Sequence, residues 1–160
     1  METSELELKN LIQRYRLSCR IEAKSPRTIE WYTSFLERFY RFLEQNGLPT
    51  YIDKLSNTSI RQFVLYLQQE ARTPHTNMSL SDATVQGYVR TLKAFFAWVV
   101  REGYIADSPM ATIRIPKVTI KVKNTFSAAQ VESLLQTCRL SGDSGQRNLA
   151  IMLLMLDTGI

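Results

Sequence analysis

The sequence predicts an all-α protein: four helices that close a bundle, an extended linker, and a two-helix fragment. Three observations point there. Apolar residues recur at helical spacing along most of the chain, nearly every such segment opens on a helix-capping residue, and two prolines among basic and β-branched residues interrupt the pattern once.

The first helix is expected from Ser4 to about Arg20, where Leu8, Leu11, Ile12, Tyr15 and Cys19 define one apolar face. Ser25-Pro26 opens the second, with serine as cap and proline at the first helical position, where its missing N–H costs nothing. That helix runs to about Gln45, buries Ile29, Tyr32, Leu36, Phe39 and Leu43, and stops at Asn46-Gly47. Ser56 caps the third, with Leu55 and Ile60 placed as a hydrophobic staple and Ile60, Phe63, Val64 and Leu67 facing inward. The polar stretch from Ala71 to Ser79 reads as a loop. Ser81 caps the fourth helix, which ends near Gly103 and turns Val85, Tyr88, Val89, Leu92, Phe95, Phe96 and Val99 to the core.

From Ala106 to Thr125, Pro109, Pro116 and the absence of any helical face predict an extended linker. Phe126-Ser127-Ala128-Ala129-Gln130-Val131 is then a capping box with its staple, starting a helix that carries Leu134 and Leu135. SGDSG reads as a turn before a last helix from Arg147 to Asp157, closed by Gly159. The run AIMLLMLDTGI is apolar around its circumference, the mark of a helix buried on all sides, and two helices alone have nothing to bury it with. The expected organisation is therefore a domain over 1–112, a basic linker over 113–124, and a segment over 125–160 cut in mid-domain.

Composition bounds the function. Twenty Lys+Arg against fifteen Asp+Glu give a net charge of +5, compatible with an acidic partner without requiring one. The cations cluster: Lys9, Arg14, Arg16 and Arg20 follow one another with no acid between them, as do Arg114, Lys117, Lys121 and Lys123. Cys19 and Cys138, far apart, and the lone His75 in a polar loop form neither a disulfide framework nor a metal-ligand set, so no metal or other cofactor is expected. The polar, acidic opening METSELELKN is unlike a signal peptide, and no apolar run reaches the roughly 20 residues of a membrane helix. A cytoplasmic protein with no membrane partner is expected.

Two outer stripes carry the candidate binding residues. On the second helix, Arg27, Trp31, Ser34, Arg38 and Arg41 lie opposite the core; on the fourth, Gln86, Arg90, Lys93, Ala97 and Arg101 do. Long basic side chains on an outer face are often merely solvated. Here the stripes are nearly free of acids, and Trp31 has no evident reason to face outward. Arginine and lysine neutralise phosphates, while arginine and glutamine also reach base edges. Lys24 and Arg27 stand at the amino end of the second helix, where free N–H groups favour a phosphate.

Several stretches resemble the tyrosine recombinase (phage integrase) family. Ser25-Pro26-Arg27-Thr28-Ile29-Glu30-Trp31-Tyr32 is similar to the S-x-x-T-x-x-x-Y opening of the second helix of its core-binding domain. Ser81 to Pro109 resembles that domain's fourth helix and exit, with Ser108-Pro109 where Asn-Pro is usual. Ile115-Pro116-Lys117 looks like the family's P-K linker. Phe126 to Leu135 resembles the L-T-x-x-E-x-x-x-L-L start of the catalytic domain, with Phe126 and Gln130 departing from it, and Asn148 to Ile160 resembles A-x-x-L-L-x-x-T-G-L.

The resemblance implies a SAM-like four-helix core-binding bundle that lays its second and fourth helices on double-stranded DNA. Lys24, Arg27, Trp31, Ser34, Arg38, Arg41, Gln86, Arg90, Lys93 and Arg101 become the expected DNA contacts, with Lys117, Lys121 and Lys123 on a linker crossing the backbone. It implies strand exchange through a phosphotyrosyl intermediate in a full-length protein, assembled as a tetramer on paired sites. It also implies that no catalytic residue is present: the family's first catalytic arginine follows T-G-L, and the sequence ends at Thr158-Gly159-Ile160. Tyr15, Tyr32 and Tyr88 fall on core faces rather than at the nucleophile's place. The chain as given is expected to bind without cutting. Two alternatives stay open, a non-catalytic DNA-binding regulator derived from an integrase and a helical protein-interaction module.

Overall fold

The computed structural model describes residues 6–73, 76–117 and 125–159. Among them are six α-helices and no strand beyond two isolated bridges: α1 Leu8–Ile21, α2 Pro26–Gln45, α3 Asn57–Gln69, α4 Asp82–Arg101, α5 Ala128–Arg139 and α6 Gly142–Thr158. The protein is all-α, as its periodicity predicts. It divides into two compact units, Met1–Thr119 and Ile120–Ile160.

Local chemistry sets the helix starts. The side chains of Ser25, Ser56, Ser81 and Ser127 each accept a hydrogen bond from the backbone N–H three residues on, satisfying one of the amides that a helix start leaves without a partner. At α5 the Gln130 side chain also accepts from the Ser127 amide, completing the capping box. The expected start of α1 at Ser4 lies outside the described residues; among those, the helix begins at Leu8, whose amide donates to the Thr50 carbonyl.

The first unit buries one contiguous core. Leu8, Leu11, Leu36, Phe39, Leu43, Ile60, Phe63, Leu67, Phe95 and Phe96 are sealed from solvent. Aromatic rings link the helices: Phe63 of α3 packs on Phe39 and Phe42 of α2 with centroids 4.9 and 5.2 Å away, and edge-on against Tyr88 of α4 at 6.0 Å. Tyr15 of α1 lies within 5.4 Å of Phe95 and 5.3 Å of Trp98. Of the side chains expected in the core, Tyr32 and Val64 are only partly buried, Tyr32 lying at the edge of the bundle stacked on Tyr15.

Two features escaped the periodicity. A single 3-10 turn, Ile52–Lys54, follows α2 and buries Ile52; three residues are too few to show a period. Part of the expected linker also belongs to the bundle. Met110 and Ile113 are buried in its core, and the Asn57 side chain at the start of α3 donates to the Pro109 carbonyl and to Thr112.

The second unit is the hairpin of α5 and α6. The expected turn at SGDSG is mostly helix, since α6 begins at Gly142 rather than Arg147. Gly142 takes φ +65° and makes the reversal alone, so the residues after it are free to wind. Gly145 is buried where the helices meet, and a Cβ there would collide with the Cys138 carbonyl. Ile151, Leu153, Leu154, Met155 and Leu156 of α6 are exposed, Leu154 by 63%. The all-round apolarity of this helix is therefore unmatched by burial among the described residues.

Candidate nucleic-acid interface

The packing of α2 against α4 places the two predicted stripes beside one seam. Phe35 of α2 stacks on Tyr88 of α4 with centroids 3.9 Å apart. Gly87 permits that approach, since a Cβ there would stand 3.3 Å from the Phe35 ring. Residues flanking Phe35 and Gly87 along each helix are the stripe residues, so sequence periodicity and tertiary contact converge here.

On α2, Arg27 is exposed, donates to Glu30 at 3.1 Å, and lies over the Trp31 ring at 5.6 Å. Trp31 is 54% exposed and stacks loosely on Phe35 at 6.4 Å, a packing partner on its own helix. Ser34 is exposed. Arg38 is half-buried: its guanidinium sits over the Tyr88 ring, and donates to the Tyr88 hydroxyl at 3.4 Å and the Arg72 carbonyl at 3.3 Å. Burial works against its charge, but hydrogen bonds to Tyr88 and Tyr66 outweigh that and raise its pKa. Exposed Arg41 donates its Nε to the Glu37 carbonyl.

On α4, exposed Arg90 and half-buried Lys93 make no ion pair or hydrogen bond among the described residues, and exposed Ala97 follows them. Gln86 donates to the Pro116 carbonyl at 3.0 Å. This bond holds the chain after the bundle against the start of α4 and sets exposed Lys117 beside that stripe. Lys121 and Lys123 lie outside the described residues, as does His75.

The other end of the stripe differs from its sequence reading. Arg101 donates to Glu22 at 2.8 Å, and Lys24 donates to the other Glu22 oxygen at 2.7 Å. Those two hydrogen bonds hold the Glu22 carboxyl below the usual carboxylate range. Glu22 was invisible to the stripe because it comes from the α1–α2 turn, 79 residues before Arg101. Three of the predicted cations, Arg27, Lys24 and Arg101, are thus paired with glutamates, while Arg90, Lys93, Arg38 and Arg41 have no ion pair among the described residues.

Tyr15, read from sequence as structural, is 5% exposed, and burial holds its phenol well above the ordinary tyrosine pKa. That is the reverse of an activated nucleophile. Among the described residues no group of His, Cys, Asp and Glu could hold a metal ion. No helix there is long and apolar enough to cross a membrane.

The model of the phage integrase N-terminal SAM-like domain matches residues 11–106, more than half of the chain. The chain belongs to that family. Among its curated relatives, the tyrosine recombinase XerC of Oceanobacillus iheyensis is 27% identical over 136 residues, covering 85% of this chain and 42% of the relative. The tyrosine recombinase XerD of Staphylococcus saprophyticus is 27% identical over 154 residues, 96% of this chain and 49% of the relative. The chain therefore spans less than half the length of these integrase-family relatives. Among solved structures, the integrase from mycobacterium phage Brujita superposes with a TM-score of 0.54 at 17% identity, covering 80% of this chain and 44% of that one, which shows a shared fold.

Proposed function

We propose that this chain grips duplex DNA as the amino-terminal part of a site-specific tyrosine recombinase. Residues 1–112 act as the DNA-binding domain, 113–124 as a basic linker, and 125–160 as the opening of the catalytic domain. The observation that carries this is the α4 stripe. Arg90 and Lys93 project from one face without a carboxylate partner among the described residues, and Lys117 is held beside them by the Gln86–Pro116 bond. Cations left unpaired by the protein are available to replace the counterions of a phosphate backbone. The resemblance to XerC, XerD and phage integrases supports the same reading, along with action in the cytoplasm and assembly as a tetramer on paired sites.

Each part of the surface has its own task. Arg90 and Lys93 meet phosphates, Gln86 stands within reach of a base edge if it releases Pro116, and Trp31 offers apolar area to a thymine methyl or a sugar. The chain by itself binds weakly and with little sequence preference. Titration of labelled duplex at several salt concentrations tests this reading. Affinity should fall by about 0.9 log units per log unit of salt for each phosphate neutralised. Replacing Arg90 and Lys93 together by alanine should flatten that slope by up to about two units, while changing the exposed acids Glu44 and Asp53 should not weaken binding. A double variant matching the wild type in affinity and slope would remove α4 from the interface.

A further inference from the structure

One predicted contact region is more than a face. Where the carboxyl half of α2 meets the end of α3 and the loop after it, Arg38, Arg41 and Arg72 line a cleft of about 270 Å³, together with Phe42, Gln45 and Tyr66. No carboxylate lines it, and none of the three arginines makes an ion pair among the described residues. Elsewhere Arg27, Arg101 and Arg139 are all paired with glutamates. Arg72 has no place on a helical stripe, and only folding brings it to Arg38 and Arg41.

The cleft is preorganised by neutral acceptors, which orient the guanidinium groups without cancelling their charge. Arg38 is held by the Tyr88 hydroxyl and the Arg72 carbonyl. Arg72 donates one Nη to the carbonyls of Gln69 and Ala71 at the end of α3, at 3.1 and 3.2 Å. Arg41 uses its Nε on its own helix, and neither of its Nη groups has a partner among the described residues. A guanidinium has five N–H donors and no acceptor, so each of the three retains donors with no acceptor among the described residues. Three like charges around one opening repel each other, and a tetrahedral anion with acceptor oxygens on every side removes both deficits.

We propose that this cleft seats a single phosphate, supplied by the backbone of the bound duplex and shared by Arg38, Arg41 and Arg72. The inference rests on the DNA-binding reading above and adds an anchoring point to it. Its position suits that source. Arg27 and Arg38 are eleven residues apart on α2, about 16 Å at 1.5 Å per residue. That separation somewhat exceeds the roughly 12 Å width of the major groove. A helix laid across the groove would put Arg27 over one strand's backbone and the cleft over the other's.

Sharing gives a signature that three separate contacts would not. The test uses the whole 160-residue chain, a labelled 20-base-pair duplex of arbitrary sequence, and Arg41→Gln, Arg72→Gln and the double variant. If one phosphate is shared, each single variant weakens binding several-fold at fixed low salt, and the double variant lowers the log–log salt slope by about 0.9 in total. A drop of about 1.8 or more in the double variant would mean separate phosphates and overturn the shared seat. Unchanged affinity and slope in the double variant, while Arg90→Ala with Lys93→Ala still flattens the slope, would remove the cleft and leave the DNA-binding reading standing. Loss of neither would overturn both.

A second arm separates the sources, with inorganic phosphate titrated into wild type and variants by calorimetry. Sub-millimolar phosphate binding that the double variant abolishes, with duplex affinity intact, would assign the cleft to a free phosphate and overturn the backbone assignment. Arg72 also braces the end of α3, so its variant is accompanied by a circular-dichroism melt. Arg41→Gln, which loses only one bond to its own helix, keeps the test decisive if Arg72→Gln unfolds.

Discussion

Phe63→Ala probes the packing that sets the two stripes side by side. Phe63 is sealed from solvent and packs with Phe39, Phe42, Tyr66 and Tyr88, so one α3 side chain joins α2 to α4. Truncating a buried phenylalanine costs about 3–5 kcal/mol in transfer energy and residual cavity. The upper half of that range applies here, because aromatic pairs are worth about 0.5–1.5 kcal/mol beyond the area they bury. Domains of this size are stable by only about 5–15 kcal/mol in all. With a urea m-value of about 2 kcal/mol/M, a 4 kcal/mol loss moves the unfolding midpoint down by about 2 M. Tryptophan fluorescence follows it, since Trp98 is 5% exposed in the same core and reddens on unfolding. Near the midpoint of the variant, DNA binding should fall with the folded fraction, because the Phe35–Tyr88 stack that aligns the stripes depends on this hub. A midpoint shift below about 0.5 M, with m unchanged, would show that the core closes around the loss and would refute the hub argument.

Four further outcomes are expected. Glu22→Gln frees Arg101 and Lys24, so duplex affinity should rise a few-fold at low salt and converge on wild type at high salt; no rise would mean those cations lie off the interface. Because the folded Glu22 pKa is depressed, its ion pairs contribute above the unfolded value of about 4.3 and are lost as pH falls through the lower folded one, which an NMR titration of its carboxyl carbon follows. Gly145→Ala should cost about 1–3 kcal/mol, since the Cys138 carbonyl is backbone and cannot move aside; faster amide exchange in α5 and α6 with the bundle unaffected is the expected readout. In an ultraviolet titration Tyr15 should stay protonated well past pH 10, and ionisation of every tyrosine near pH 10 in the folded protein would contradict its burial.

The helices and their inner faces are legible from local sequence alone. Capping serines, a proline at N1 and 3.6-residue periodicity act within a few residues, so Ser25, Ser56, Ser81 and Ser127 could be read as helix starts without knowing what lay across the bundle. The stripes on α2 and α4 were legible for the same reason, as the outer complement of an apolar face. Which charges remain unpaired and which meet depends instead on how the helices pack. Glu22 comes from a turn to hold Arg101, Gln86 reaches Pro116 and brings Lys117 beside α4, and Arg72 joins Arg38 and Arg41 from a loop with no periodicity. Met110 and Ile113 left the expected linker for the core because Asn57 ties the chain back to α3. Periodicity records which way a side chain points from its own helix. Ion pairs and clefts form between residues far apart in sequence, so the free cations of this surface could be identified only once the chain had folded.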